Sequence, residues 1–65
     1  MIRNLHVTHG KDGRWEVKFS GQPNPIKVAH SQNQAIKYAK QMAKSEKCEL
    51  IIHTENGEVL NRLSF

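Results

Sequence analysis

Only one stretch of this chain repeats with the period of a helix, and it limits what the rest can become. Ser31 to Lys47 reads SQNQAIKYAKQMAKSEK. Its apolar residues Ala35, Ile36, Ala39, Met42 and Ala43 follow the i, i+1, i+4, i+7, i+8 spacing, which makes one stripe at about 100° per residue. The alanines in the stripe let such a helix sit close to a sheet. Ser31 followed by Gln34 is a capping box: the hydroxyl takes a first-turn N–H and Gln34 is placed to reach back. Lys37, Lys40, Lys44 and Lys47 fall within roughly 80° of one another, about 120° from the centre of the apolar stripe. Lys44 and Lys47 also suit the negative end of the helix dipole. The lysine row reads either as a solvated helix face or as a contact surface for anions, since four like charges have only Glu46 nearby.

The flanking segments alternate with the period of strands. Ile2 to His9 is a first strand, with Leu5 and Val7 on one face and Asn4, His6 and Thr8 on the other. Gly10-Lys11-Asp12-Gly13 supplies a hairpin turn. Arg14 to Ser20 is a second strand, with Trp15, Val17 and Phe19 inward and Arg14, Glu16, Lys18 and Ser20 outward. After the loop Gly21 to Pro25, in which each proline removes a backbone donor, Ile26 to Ala29 reads as a third strand. Its hydrophobicity places Ile26 and Val28 inward and Lys27 outward. Beyond the helix, Cys48 to Thr54 is a strand, Asn56-Gly57 a hairpin turn and Glu58 to Phe65 its partner. In that last strand Val59, Asn61, Leu63 and Phe65 share a face and Leu60 lies opposite. The expected fold is α+β, an antiparallel β-sheet with one packed helix, in the order β-β-β-α-β-β.

The pattern His6-Val7, Asp12-Gly13, Trp15-x-Val17-Lys18, Gln34-Ala35-Ile36 with Ala39 and Ala43, Glu49 to His53, Asn56-Gly57 and Ser64-Phe65 resembles the bacterial family known as domain of unknown function 2188 (DUF2188). The resemblance spans nearly the whole chain. It departs at Asn56, usually Asp, and at Phe65, usually Tyr. Its marker residues are turn and core types, so it implies a β-rich fold and carries over no activity.

Sixty-five residues make a single domain, residues 1–65, with a thin core. Ten Lys and Arg against six Asp and Glu leave a net charge of +4, which favours polyanionic partners such as nucleic acid or an acidic protein. The one cysteine, Cys48, excludes an internal disulfide and fits a reducing compartment, so a cytoplasmic location is expected. No apolar run has transmembrane length, and no membrane partner is expected.

Catalytic chemistry finds no footing in the sequence. Cys48 follows a helix C-terminus, where the dipole disfavours a thiolate. No Ser-His-Asp set, phosphate-cradling glycine loop or carboxylate pair can be placed. His6 and His9 point to opposite faces of a strand, and no cysteine pair or carboxylate stands at ligand spacing, so neither a metal nor a cofactor is expected. His6 and His53 fit neighbouring positions on adjacent strands, but nothing else in the sequence supports a pH-sensitive surface there. The expectation is a small non-catalytic binding module contacting nucleic acid or another polyanion through Arg14, Lys18, Lys27, Lys37, Lys40 and Lys44. In that view Arg14, Lys18 and Lys27 share the sheet face opposite the core and lie in a DNA groove. The alternative is a protein-interaction or homodimerisation module that buries the apolar surface left at Leu60, Leu63 and Phe65.

Overall fold

The structure, a computed structural model, describes residues 4–10 and 12–65. Ile2 in the expected first strand and Lys11 in the first turn lie outside these residues. The elements run β1 (Asn4–His9), β2 (Trp15–Phe19), β3 (Lys27–Ala29), α1 (Gln32–Glu46), β4 (Glu49–His53) and β5 (Val59–Ser64). This is the α+β order read from the sequence. The strands form one sheet in the order β3-β2-β1-β4-β5, and α1 crosses one face, over β1 to β4.

Three ladders are antiparallel, but β1 and β4, at the centre, run parallel. The sheet is therefore mixed, a correction to the antiparallel expectation. The cause is a count of reversals: two turns bring β3 into the direction of β1, the helix runs back across the sheet, and β4 starts again in that same direction. It then takes the open edge of β1, pairing Leu5 with Leu50 and Val7 with Ile52.

The helix begins where its cap dictates. Ser31 is extended, its Oγ accepts the Gln34 N–H at 3.2 Å, and Lys47 closes the other end in the left-handed region with its N–H on the Ala43 carbonyl. Ala35, Ala39 and Ala43 are fully buried against Leu5, Val7, Trp15, Val17, Phe19, Leu50 and Ile52. Ile36, Tyr38, Met42 and Leu63 close the margins of this core. A stripe of methyl groups lets the helix backbone come down onto β-branched and aromatic side chains, so little volume is left between the layers.

The third strand differs from expectation in which way it faces. Pairing sets Lys27 beside Val17 and Ala29 beside Trp15, so Lys27 and Ala29 point to the helix side and Val28 to the bare side. Ala29 is buried, whereas Ile26 and Val28 are 38% and 43% exposed. The physical reason is that β3 feeds directly into the helix cap. Only a small side chain fits beneath the start of the helix, and Lys27 escapes by laying its ammonium over the Tyr38 ring, 5.8 Å from the centroid. In β5 a register shift near Ile52 and His53 breaks the alternation. Asn61 and Leu63 stand opposite the core residues Ile52 and Leu50, while Val59 pairs with His53.

Candidate functional site

The six expected contact residues do not form one surface. Arg14 and Lys18 border a shallow depression of about 600 Å³ on the bare sheet face, near the β1–β2 turn, but Asp12 and Glu16 line it as well. Lys27 has left that face for the helix side. The groove-binding arrangement built on Arg14, Lys18 and Lys27 together is therefore not present. Lys37, Lys40 and Lys44 are exposed on α1, and the first helical turn carries no acidic residue. They stand at i, i+3 and i+7, so they rise along one side of the helix, away from the buried alanines.

The bare face of the sheet has a centre of its own. Lys18 of β2, His6 of β1, Ile51 of β4 and Arg62 of β5 are successive cross-strand partners and stand abreast in one row. Ile51 is only 5% exposed although it lies outside the core cluster beneath the helix. A residue this buried on an uncovered face is being covered by the side chains of its own row and of the rows beside it.

A hydrogen-bond relay crosses this row. His53 Nδ1 lies 3.3 Å from the Gly57 carbonyl, His53 Nε2 lies 3.0 Å from His6 Nδ1, and His6 Nε2 lies 2.8 Å from Ser20 Oγ. The partners determine the protons. A carbonyl can only accept, so His53 donates from Nδ1 and accepts at Nε2; His6 then donates from Nδ1 and accepts the Ser20 hydroxyl at Nε2. The two rings stack at 5.2 Å and 22°. Backbone contacts hold both ends: the Ser20 N–H donates to the Asn4 carbonyl at 2.8 Å, and Gly57 takes a φ of 88° in the Asn56-Gly57 turn. Gln32 at the start of the helix donates to the His53 carbonyl.

Burial first, and then the electrostatic influence of His53, Lys18 and Arg62, hold the His6 imidazole below its ordinary value. Arg62 has an exposed partner in Glu49 at 3.7 Å, a contact worth little in water. His9 takes no part: it packs edge-on against Trp15 at 4.8 Å. Among the described residues, no three His, Cys, Asp or Glu side chains gather as a metal site would need. Cys48 is buried and forms no disulfide. None of the helices of the described residues is long and apolar enough to cross a membrane.

The neighbourhood of His6 and His53 was legible from strand positions, but the relay was not. Ser20 reaches the relay through the end of β2, and Arg62 joins the adjoining row through a β4–β5 register, neither of which periodicity specifies. The outward parity of Ser20 on the same face as His6 was the one available signal.

A helix on one side and a bare, polar, histidine-centred sheet on the other define a two-layer α+β module with an uncovered sheet face. The chain belongs to the DUF2188 family, described as an uncharacterized protein conserved in bacteria, whose model matches residues 5–65. No curated protein and no solved structure matches it.

Proposed function

We propose that this protein is a small cytoplasmic, non-catalytic binding module that contacts nucleic acid or a comparable polyanion through Lys37, Lys40 and Lys44 of α1. One observation carries this reading: three exposed lysines follow one side of a helix whose first turn has no carboxylate. The bare sheet face is a poorer candidate for a long polyanion, because Asp12 and Glu16 share the depression with Arg14 and Lys18. The count of one cysteine, which excludes an internal disulfide, supports the cytoplasmic part of the reading.

Fluorescence anisotropy with labelled duplex and single-stranded DNA and RNA tests it. Three lysines that each displace a counterion from duplex give a log–log salt slope of about −2.7, so raising salt fourfold weakens binding roughly 40-fold. The triple substitution Lys37→Glu, Lys40→Glu, Lys44→Glu abolishes this binding in a folded domain, while Arg14→Glu with Lys18→Glu leaves most of it. The opposite ranking would move the contact to the sheet face.

A second reading has its own observation. The exposed large apolar residues gather on the two edge strands and their approaches, Ile26 and Val28 at β3 and Val59, Leu60 and Phe65 at β5 and just after it, with Val59 and Leu60 each 58% exposed. Edge strands with such residues pair readily with another copy. A dimer mass by light scattering, independent of salt and lost with Val59→Lys and Leu60→Lys, would favour self-association over polyanion binding.

A further inference from the structure

We propose that the centre of the bare sheet face is a proton-coupled oxyanion site, in which His6, Lys18, Arg62 and the Ser20 hydroxyl hold one phosphoryl- or sulfate-type group. It lies on the opposite layer from the helix lysines and does not rest on the polyanion reading.

Three observations carry it. The first is the placement of charge. Lys18 and Arg62 sit at the two ends of the row that has His6 and Ile51 in its middle. Both are long, flexible cations whose heads can turn inward over the row. The second is the arrangement of the carboxylates on this face. The Glu16 carboxylate leans to the turn, with its Oε2 3.1 Å from where a Cβ on Gly10 would sit. Glu49 stands on the same face in the next row, between Asn4 and Ser64, and pairs with Arg62 in an exposed contact that an anion can replace. The charged side chains in the His6 row itself are both cationic, Lys18 on β2 and Arg62 on β5.

The third observation is the relay, which has a place for one extra proton. In the neutral state Ser20 donates to His6 Nε2. When His6 takes up a proton at Nε2, Ser20 rotates its hydroxyl and accepts instead, and the His6 Nδ1 to His53 Nε2 bond is kept. No hydrogen bond is lost, and the Ser20 O–H is freed toward solvent. A second proton has no such place, because two N–H groups would then face each other between the rings. The site therefore accommodates one proton and gains one donor as it does so. An oxyanion over the row would meet a cationic imidazole, a hydroxyl donor, an ammonium and a guanidinium. Without the anion, the same cations oppose that proton. Anion and proton thus favour each other's binding, and by linkage the effect is reciprocal.

Sulfate is the suitable first probe, because its charge does not change near neutrality, whereas a phosphate monoester itself titrates near pH 6. Binding is followed by the histidine ring proton resonances in NMR titrations at about pH 5.5 and about pH 7.5, which bracket the ordinary histidine range. The expected result is saturable shifts at His6 and His53, with affinity roughly tenfold or more higher at the lower pH. His6→Gln removes the pH dependence, and Lys18→Gln with Arg62→Gln weakens binding at both pH values. The triple helix-lysine variant retains the shifts. Methyl phosphate and a thymidine dinucleotide separate the sources: tighter binding of the monoester supports a small phosphorylated ligand, and equal binding of the diester supports a nucleic-acid phosphate. The proposal is overturned if sulfate leaves the two rings unshifted at the lower pH, or if its affinity is the same at both. Wild-type pH dependence in folded His6→Gln, or loss of the shifts in the helix-lysine variant, overturns it equally.

Discussion

His6 is the residue at which sequence, structure and chemistry meet. Strand parity alone puts it opposite Leu5 and Val7, and its partners then decide its tautomer. Its lowered pKa has a consequence for stability. The unfolded chain binds a proton at His6 near pH 6.5, as an ordinary histidine does, whereas the folded protein binds it only at a lower pH. Between those two values the unfolded state carries more protons, so stability rises with pH and is lost as pH falls below about 6.5, levelling off below the folded value. Thermal melts across that window should show a fall in Tm on acidification that is smaller in His6→Gln. A melt with the same acid dependence in both proteins would assign the effect to other groups. The histidines were visible in the sequence as neighbours. What could not be read was the third partner, because Ser20 lies past the end of β2 and its hydroxyl direction depends on how the chain turns there.

At the level of elements, α1 was the most legible part of the chain and β3 the least. The helix combines a cap, a stripe and a C-terminal stop, and each signal agrees with the others. Three residues of strand carry no such agreement. Ile26 and Val28 are the more apolar pair, yet Ala29 is the residue that fits beneath the helix, and pairing with β2 carries Lys27 to the same side. Local hydrophobicity lost to the space available. Substitutions should reveal this inversion. Val28→Thr on the bare face should change stability by no more than about 0.5 kcal/mol. Ala39→Leu, which forces a large side chain between helix and sheet, should cost about 1–3 kcal/mol. Urea titrations of the two variants measure both. A Val28→Thr loss as large as that of Ala39→Leu would mean that Val28 is in the core after all.

Across the whole molecule, hydrophobic period supplied one helix, the strands of one small sheet and the order of these elements. Strand order and direction were beyond it, since they depend on how often the chain reverses and on which sheet edge is still open when β4 arrives. The parallel pair at the centre carries a consequence for the order of assembly. The β1–β2 ladder closes through a short turn and can form early, whereas β1 and β4 must find each other across β2, β3 and the helix. Contacts distant in sequence are costly to form and set the speed of folding. The nascent molecule therefore passes through a stage in which the inner edge of its first strand is unpaired and open to wrong partners. Core truncations in the early hairpin and at the late edge should then divide in their kinetics. Val17→Ala should chiefly slow refolding, and Leu63→Ala should chiefly hasten unfolding. Stopped-flow traces that assigned both losses to the same limb would remove that order. If the order holds, the strand nearest the start of the chain is first to be half-built and among the last to be finished, and misassembly during synthesis is more of a hazard there than at either outer edge.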